Sequence, residues 1–108
     1  MAFSNAWTAL QNSLSVGTSI ANWTADKGLL GNHFTVVAMD SSSIEVDTPH
    51  AKNLQRVPRC DFELVYKNWV GYTTGKIPRY VLRDGTRFSK YVISILHWLE
   101  LQLGGALP

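Results

Sequence analysis

The feature that most constrains the fold is a change of hydrophobic period partway along the chain. Residues 33–49, HFTVVAMDSSSIEVDTP, form two β-rich runs flanking the polar turn Asp40-Ser41-Ser42-Ser43, so they predict a hairpin. In the second arm Ile44 and Val46 alternate with Glu45 and Asp47, which predicts one buried and one wet face. The first arm is apolar at successive positions, Phe34, Val36 and Ala38 opposing Val37 and Met39, which predicts a strand covered at least partly on both sides. From Phe62 onward the period is about 3.6 residues, the repeat of a helix with one apolar face.

Phe62, Val65, Tyr66, Trp69 and Thr73 fall on one helical face, with Asp61 and Glu63 in the first turn and Gly75 as the stop. Pro78 then starts a short helix, PRYVLRD, which Gly85 closes. A third helix, from Thr86 or Ser89, carries Phe88, Tyr91, Val92, Ile95, Leu96, Leu99 and Leu103. At the other end Phe3, Ala6, Trp7, Leu10 and Leu14 have helical spacing, with Ser4 as N-cap and Gly17 as stop. TSIANWT, residues 18–24, reads as a strand, ADKGLLGN as a glycine-rich loop, and the region around LQRVP as a further short strand. Strands early and helices late predict an α+β fold: an N-terminal helix, a small antiparallel sheet with a central hairpin, then about three C-terminal helices packed on one face.

A length of 108 residues suits one domain, 1–108, and 45 per cent hydrophobic with 17 per cent charged residues suits a folded rather than disordered chain. No apolar run approaches the roughly 20 residues of a membrane span. The N-terminus lacks the pattern of a secretory signal, and the single Cys60 cannot form a disulfide within the chain. Together these point to a soluble, cytoplasmic protein with no membrane partner.

Charge is unevenly placed. Residues 1–54 hold two basic and four acidic side chains, and residues 55–108 hold eight and four. Within KIPRYVLRDGTRFSK the cations Lys76, Arg79, Arg83, Arg87 and Lys90 recur at intervals of three, four, four and three. Such a stripe either keeps a helical face hydrated or neutralises phosphates along a nucleic-acid backbone. Tyr72 and Tyr80 lie nearby as candidate stacking surfaces for unpaired bases. The outline also matches a helix-turn-helix, but the turn is flanked by Asp84 and Thr86. The second helix is heavily apolar and offers only Arg87, Ser89 and Lys90 to base edges.

Enzyme chemistry finds less support. His33, His50 and His97 are scattered without zinc-site spacing, Glu45 and Asp47 lack the lysine of a nuclease strand, and an isolated Cys60 is expected to be buried and inert. No catalytic residue, metal or cofactor is expected. The reading is a non-enzymatic binding module with nucleic acid as leading partner, the alternative being a self-associating, protein- or small-ligand-binding domain.

The succession NWTADKG, FTVV, IEV, DFELVYKNWVGYTTGKIPR and TRFSKYVISILHWLE, over residues 20–101, resembles small bacterial proteins of unknown function carried on mobile integron gene cassettes. The resemblance implies a bacterial, compact α+β protein and transfers no functional residue.

The last helix carries more apolar surface than one stripe requires, because Ile93, Trp98 and Leu101 extend it around the cylinder. Either the domain covers this surplus itself, or it forms a homodimer interface built from Ile93, Trp98 and Leu101 with His97 at the rim.

Overall fold

The computed structural model describes residues 2–49 and 51–108, so the expectation for His50 lies outside the described residues. The elements run α1 Ala2–Ser13, β1 Ser19–Thr24, β2 Gly28–Asp40, β3 Ser43–Asp47, β4 Gln55–Pro58, α2 Arg59–Lys67, α3 Trp69–Thr73, α4 Arg79–Gly85 and α5 Ser89–Gln102. The strands form one antiparallel sheet in the order β1-β2-β3-β4. The α+β class, the central hairpin and the packing of helices against the sheet are therefore as the sequence predicts.

The β2–β3 turn is set by one aspartate. Asp40 Oδ1 accepts from the Ser42 N–H at 2.8 Å, the Ser42 hydroxyl at 2.9 Å and the Ser43 hydroxyl at 3.2 Å. This is the local bonding that makes aspartate a turn former. The Ser42 N–H is the largest of the causes that hold the Asp40 carboxyl below its ordinary pKa, and Arg56 adds a smaller pull in the same direction.

The apolar run FTVVAM has a different cause from the one its pattern suggests. Pairing along β2 shifts between Val36 and Ala38, so Val37 is an extra residue that reverses the alternation. Phe34 and Val36 before the shift and Met39 after it all pack on the core, while Ala38 pairs with Glu45 and Glu45 with Arg56 on the outer side. A bulge, rather than cover on both sides, explains the run. The fully buried strand residues Ile20, Phe34, Val36, Ile44, Val46 and Val57 share the helix-facing side. Of the segment read as a glycine-rich loop, only residues 25–27 form a turn and the rest is the start of β2: Gly28, at φ +71, closes the β1 hairpin, and Leu29 and Leu30 extend the strand with exposed side chains.

Phe3, Ala6, Trp7, Leu10 and Leu14 of the α1 segment are all buried. Ser4 sits inside α1 rather than capping it. The Trp7 Nε1–H donates to the Ser41 carbonyl at 3.1 Å and the Gln11 amide to the Asp40 carbonyl at 3.1 Å, pinning α1 to the hairpin turn. The helix expected from Phe62 to Thr73 is two helices, α2 and α3. Asn68 separates them, its side-chain amide donating to the Leu64 carbonyl at 2.9 Å in competition with the helical ladder. Gly85 ends α4 without entering the left-handed region, and it is small for another reason. A Cβ there would lie 2.9 Å from Leu64 Cδ1, so α2 and α4 touch at this point.

Helix α5 is the central element. Val92, Ile93, Ser94, Ile95 and Leu96 are consecutive and at most 2 % exposed, which closes the full circumference of a helix. It lies against β1 on one side and meets α1, α2 and α4 on others. Ser94 is tolerated there because its hydroxyl donates to the Lys90 carbonyl at 3.0 Å and accepts the Trp23 N–H at 3.0 Å. The apolar surplus of α5 is thus largely consumed by the domain. Ile93, expected on a dimer face, is 0 % exposed in the core and offers nothing to a second copy. No helix among the described residues is long and apolar enough to cross a membrane.

Candidate functional site

The five cations of the expected stripe are all exposed, but not on one helix. Lys76 lies in the α3–α4 turn, Arg79 and Arg83 are one turn apart on α4, Arg87 is in the α4–α5 connection and Lys90 is in the first turn of α5. The ion pairs among the described residues lie elsewhere, at Arg56–Asp40 (3.3 Å) and Lys67–Glu63 (4.0 Å). Two of the five cations rest on neighbouring rings. Arg87 Cζ is 4.7 Å from the Phe88 centroid, and Lys90 Nζ is 5.3 Å from that of Tyr91. Tyr80 is 55 % exposed, whereas Tyr72 is 4 % exposed and its hydroxyl accepts the Ala25 N–H at 3.0 Å. Tyr72 is therefore withdrawn from base stacking. So is α5 as a recognition helix, because a helix buried around its middle cannot enter a major groove.

Beside this face lies a cleft of about 600 Å³ that no local motif announces. One wall is the β1–β2 turn with Thr24, Ala25, Asp26 and Lys27, and Leu30 beyond it. The other runs from Tyr72 to Arg79, bringing in Thr73, Thr74, Ile77 and Pro78. The second wall is held tightly. Gly71 O accepts from both the Lys76 N–H (2.8 Å) and the Ile77 N–H (2.9 Å), folding Ile77 back until a Cβ on Gly71 would lie 2.8 Å from Ile77 Cγ1. Gly75 makes the reversal at φ +84, a conformation that favours glycine. Arg79 alone belongs to both the cleft and the basic run.

Of the residues expected at a dimer interface, Trp98 is half-buried against the core and Leu101 is 63 % exposed. His97 stacks flat on Trp23, with centroids 3.8 Å apart and planes 1° from parallel, and its buried Nδ1 has no hydrogen-bond partner among the described residues. Burial holds its pKa below the ordinary value, with the Glu100 charge opposing. The unfolded chain therefore takes up this proton first. His97 stabilises the fold fully above about pH 6.5, and that contribution is lost as pH falls through the lower folded pKa. Urea midpoints of the native protein are expected to drop between about pH 7.5 and pH 5, with a shallower drop for His97→Gln; equal slopes for the two would contradict this.

Cys60 is exposed rather than buried, its thiol directed to Asp61 Oδ1 at 3.7 Å. Among the described residues no three His, Cys, Asp or Glu side chains gather as a metal site. No protein-family model matches the chain, and neither a curated protein nor a solved structure is significantly similar to it.

Proposed function

We propose that the chain is a non-enzymatic binding module that holds a nucleic-acid phosphate backbone against the surface formed by the α3–α4 turn, α4 and the start of α5. One observation carries this reading: Lys76, Arg79, Arg83, Arg87 and Lys90 are all exposed and form no ion pair among the described residues. A cation whose charge is satisfied by a carboxylate contributes little to a polyanion, whereas an unpaired one releases a counterion from each phosphate it meets. The rings under Arg87 and Lys90 limit how far those side chains must be ordered on binding. Exposed Tyr80 on α4 supplies a stacking face for an unpaired base. With α5 buried, recognition rests on backbone charge and single-strand stacking, so sequence preference is weak.

The test is fluorescence anisotropy of labelled single-stranded and duplex oligonucleotides across a salt series. The double variant Arg83→Gln/Arg87→Gln leaves Arg79 in place. It is expected to weaken binding to all sequences alike and flatten the slope of log K against log salt by about 1.5 units, roughly 0.7 to 0.9 for each contact. Unchanged binding by the variant would overturn the reading, as would absence of binding by the native protein at low salt.

A further inference from the structure

We propose that the cleft between the β1–β2 turn and the α3–α4 segment is a second, separate binding site, for a small organic carboxylate with an apolar body. Its volume of about 600 Å³ lies in the range of small-molecule sites. Two of its lining residues, Thr24 and Tyr72, are each only 4 % exposed and each end in a hydroxyl. A hydroxyl can donate one hydrogen bond while accepting others. Tyr72 Oη accepts from the Ala25 N–H at 3.0 Å and Thr24 Oγ1 accepts from the Lys27 N–H at 3.3 Å, yet neither hydroxyl donates to any described residue. Each already accepts one backbone hydrogen bond, and its proton is unspent. Buried hydroxyls favour a partner for that proton, and what they lack is an acceptor.

The rest of the lining specifies which acceptor. Lys27 and Arg79 bring positive charge to the cleft and form no ion pair among the described residues, whereas Asp26 is its single acid. The acceptor is therefore anionic. Leu30, Ile77, Pro78 and Ala25 supply hydrocarbon surface, and Leu30 is still 46 % exposed, as expected of a wall waiting for an apolar contact. A carboxylate on a hydrocarbon or aromatic body meets both requirements. Inorganic phosphate meets only the first and a neutral alcohol mainly the second. The rigid α3–α4 reversal around Gly71 and Gly75 keeps one wall preformed, which lowers the ordering cost of binding.

The probes are sodium benzoate and sodium hexanoate, titrated into the full chain labelled with nitrogen-15 and followed by amide shifts, with benzyl alcohol and inorganic phosphate as controls. Saturable shifts are expected at Ala25, Lys27, Thr74 and Gly75 with the carboxylates, and affinity about tenfold or more weaker with either control. Tyr72→Phe is expected to weaken carboxylate binding about tenfold, through loss of a hydrogen bond to a charged group. Arg79→Gln, at an exposed position, repeats the test without touching a buried group. No saturable shift with either carboxylate would overturn the proposal. So would phosphate binding as well as they do, shifts confined to other surfaces, or full affinity in Arg79→Gln. The Arg83→Gln/Arg87→Gln variant is expected to bind benzoate normally, so the two sites stand or fall separately.

Discussion

Ile93→Glu is expected to leave the chain unfolded, while Leu101→Glu eight positions further along α5 leaves stability within about 0.5 kcal/mol of the native protein. Ile93 is 0 % exposed in the middle of a helix surrounded by sheet and helices, and Leu101 is 63 % exposed near its end. Truncating a buried isoleucine typically costs about 2–5 kcal/mol. Placing an unpaired carboxylate in the same space adds several more, even if the group is protonated to avoid ionisation. Set against a total stability of about 5–15 kcal/mol for a domain, the combined loss removes the folded state. Circular dichroism and urea titration of the two single variants check this. A folded Ile93→Glu protein with a native urea midpoint would mean that α5 does not run through the core.

Trp69→Ala is expected to cost about 3–5 kcal/mol, shifting the urea midpoint strongly without abolishing the fold. The indole is 3 % exposed, and its Nε1–H donates to Glu100 Oε2 at 3.0 Å, tying α3 to the last turns of α5. Its ring lies 6.3 Å from Trp23 and 6.0 Å from Tyr72, so one side chain joins β1, α3 and α5. Trp69→Phe keeps most of that area and loses the hydrogen bond, while Glu100 is open enough to be hydrated, so its cost is expected near about 1–2 kcal/mol. Equal midpoints for the alanine and phenylalanine variants would show that the ring is not packed as described.

The sequence was legible wherever a pattern was local and regular. The α1 face, the Ile44/Val46 alternation and most of the periodic face of α5 are found buried, because one side of a periodic element must leave water, whereas Leu103 falls past the end of α5 and is 42 % exposed. It was misleading where one residue interrupts the period. Val37 adds a bulge that imitates a two-sided strand, and Asn68 divides a helix whose apolar spacing continues across the break. Glycines in KGLLGN suggested a loop although Leu29 and Leu30 belong to a strand that reaches past the core. The basic run could be read directly, since exposed charges are local. The cleft could not. Its walls, around Thr24–Leu30 and Tyr72–Arg79, lie far apart in the chain and meet through the Ala25–Tyr72 hydrogen bond and the Trp23–Trp69 ring contact. The one hint was the polar glycine turn on each side, YTTGK and ADKG, which carries no spacing rule.

The contact between Trp23 and Ser94 has a consequence for life at high concentration. β1 is an outermost strand of the sheet, and open strand edges are where proteins recruit neighbours into intermolecular sheets. Here α5 lies along β1, with a serine hydroxyl occupying the Trp23 N–H. The opposite border, β4, is four residues long and ends in Pro58, which has no N–H to offer. Neither border presents a long ladder to a stranger. The exposed leucines at positions 54, 101 and 103 are therefore not reinforced by a long open ladder, whereas Leu29 and Leu30 lie on the stretch of β2 that pairs with β1 but runs past β3, so the open edge of the sheet is there.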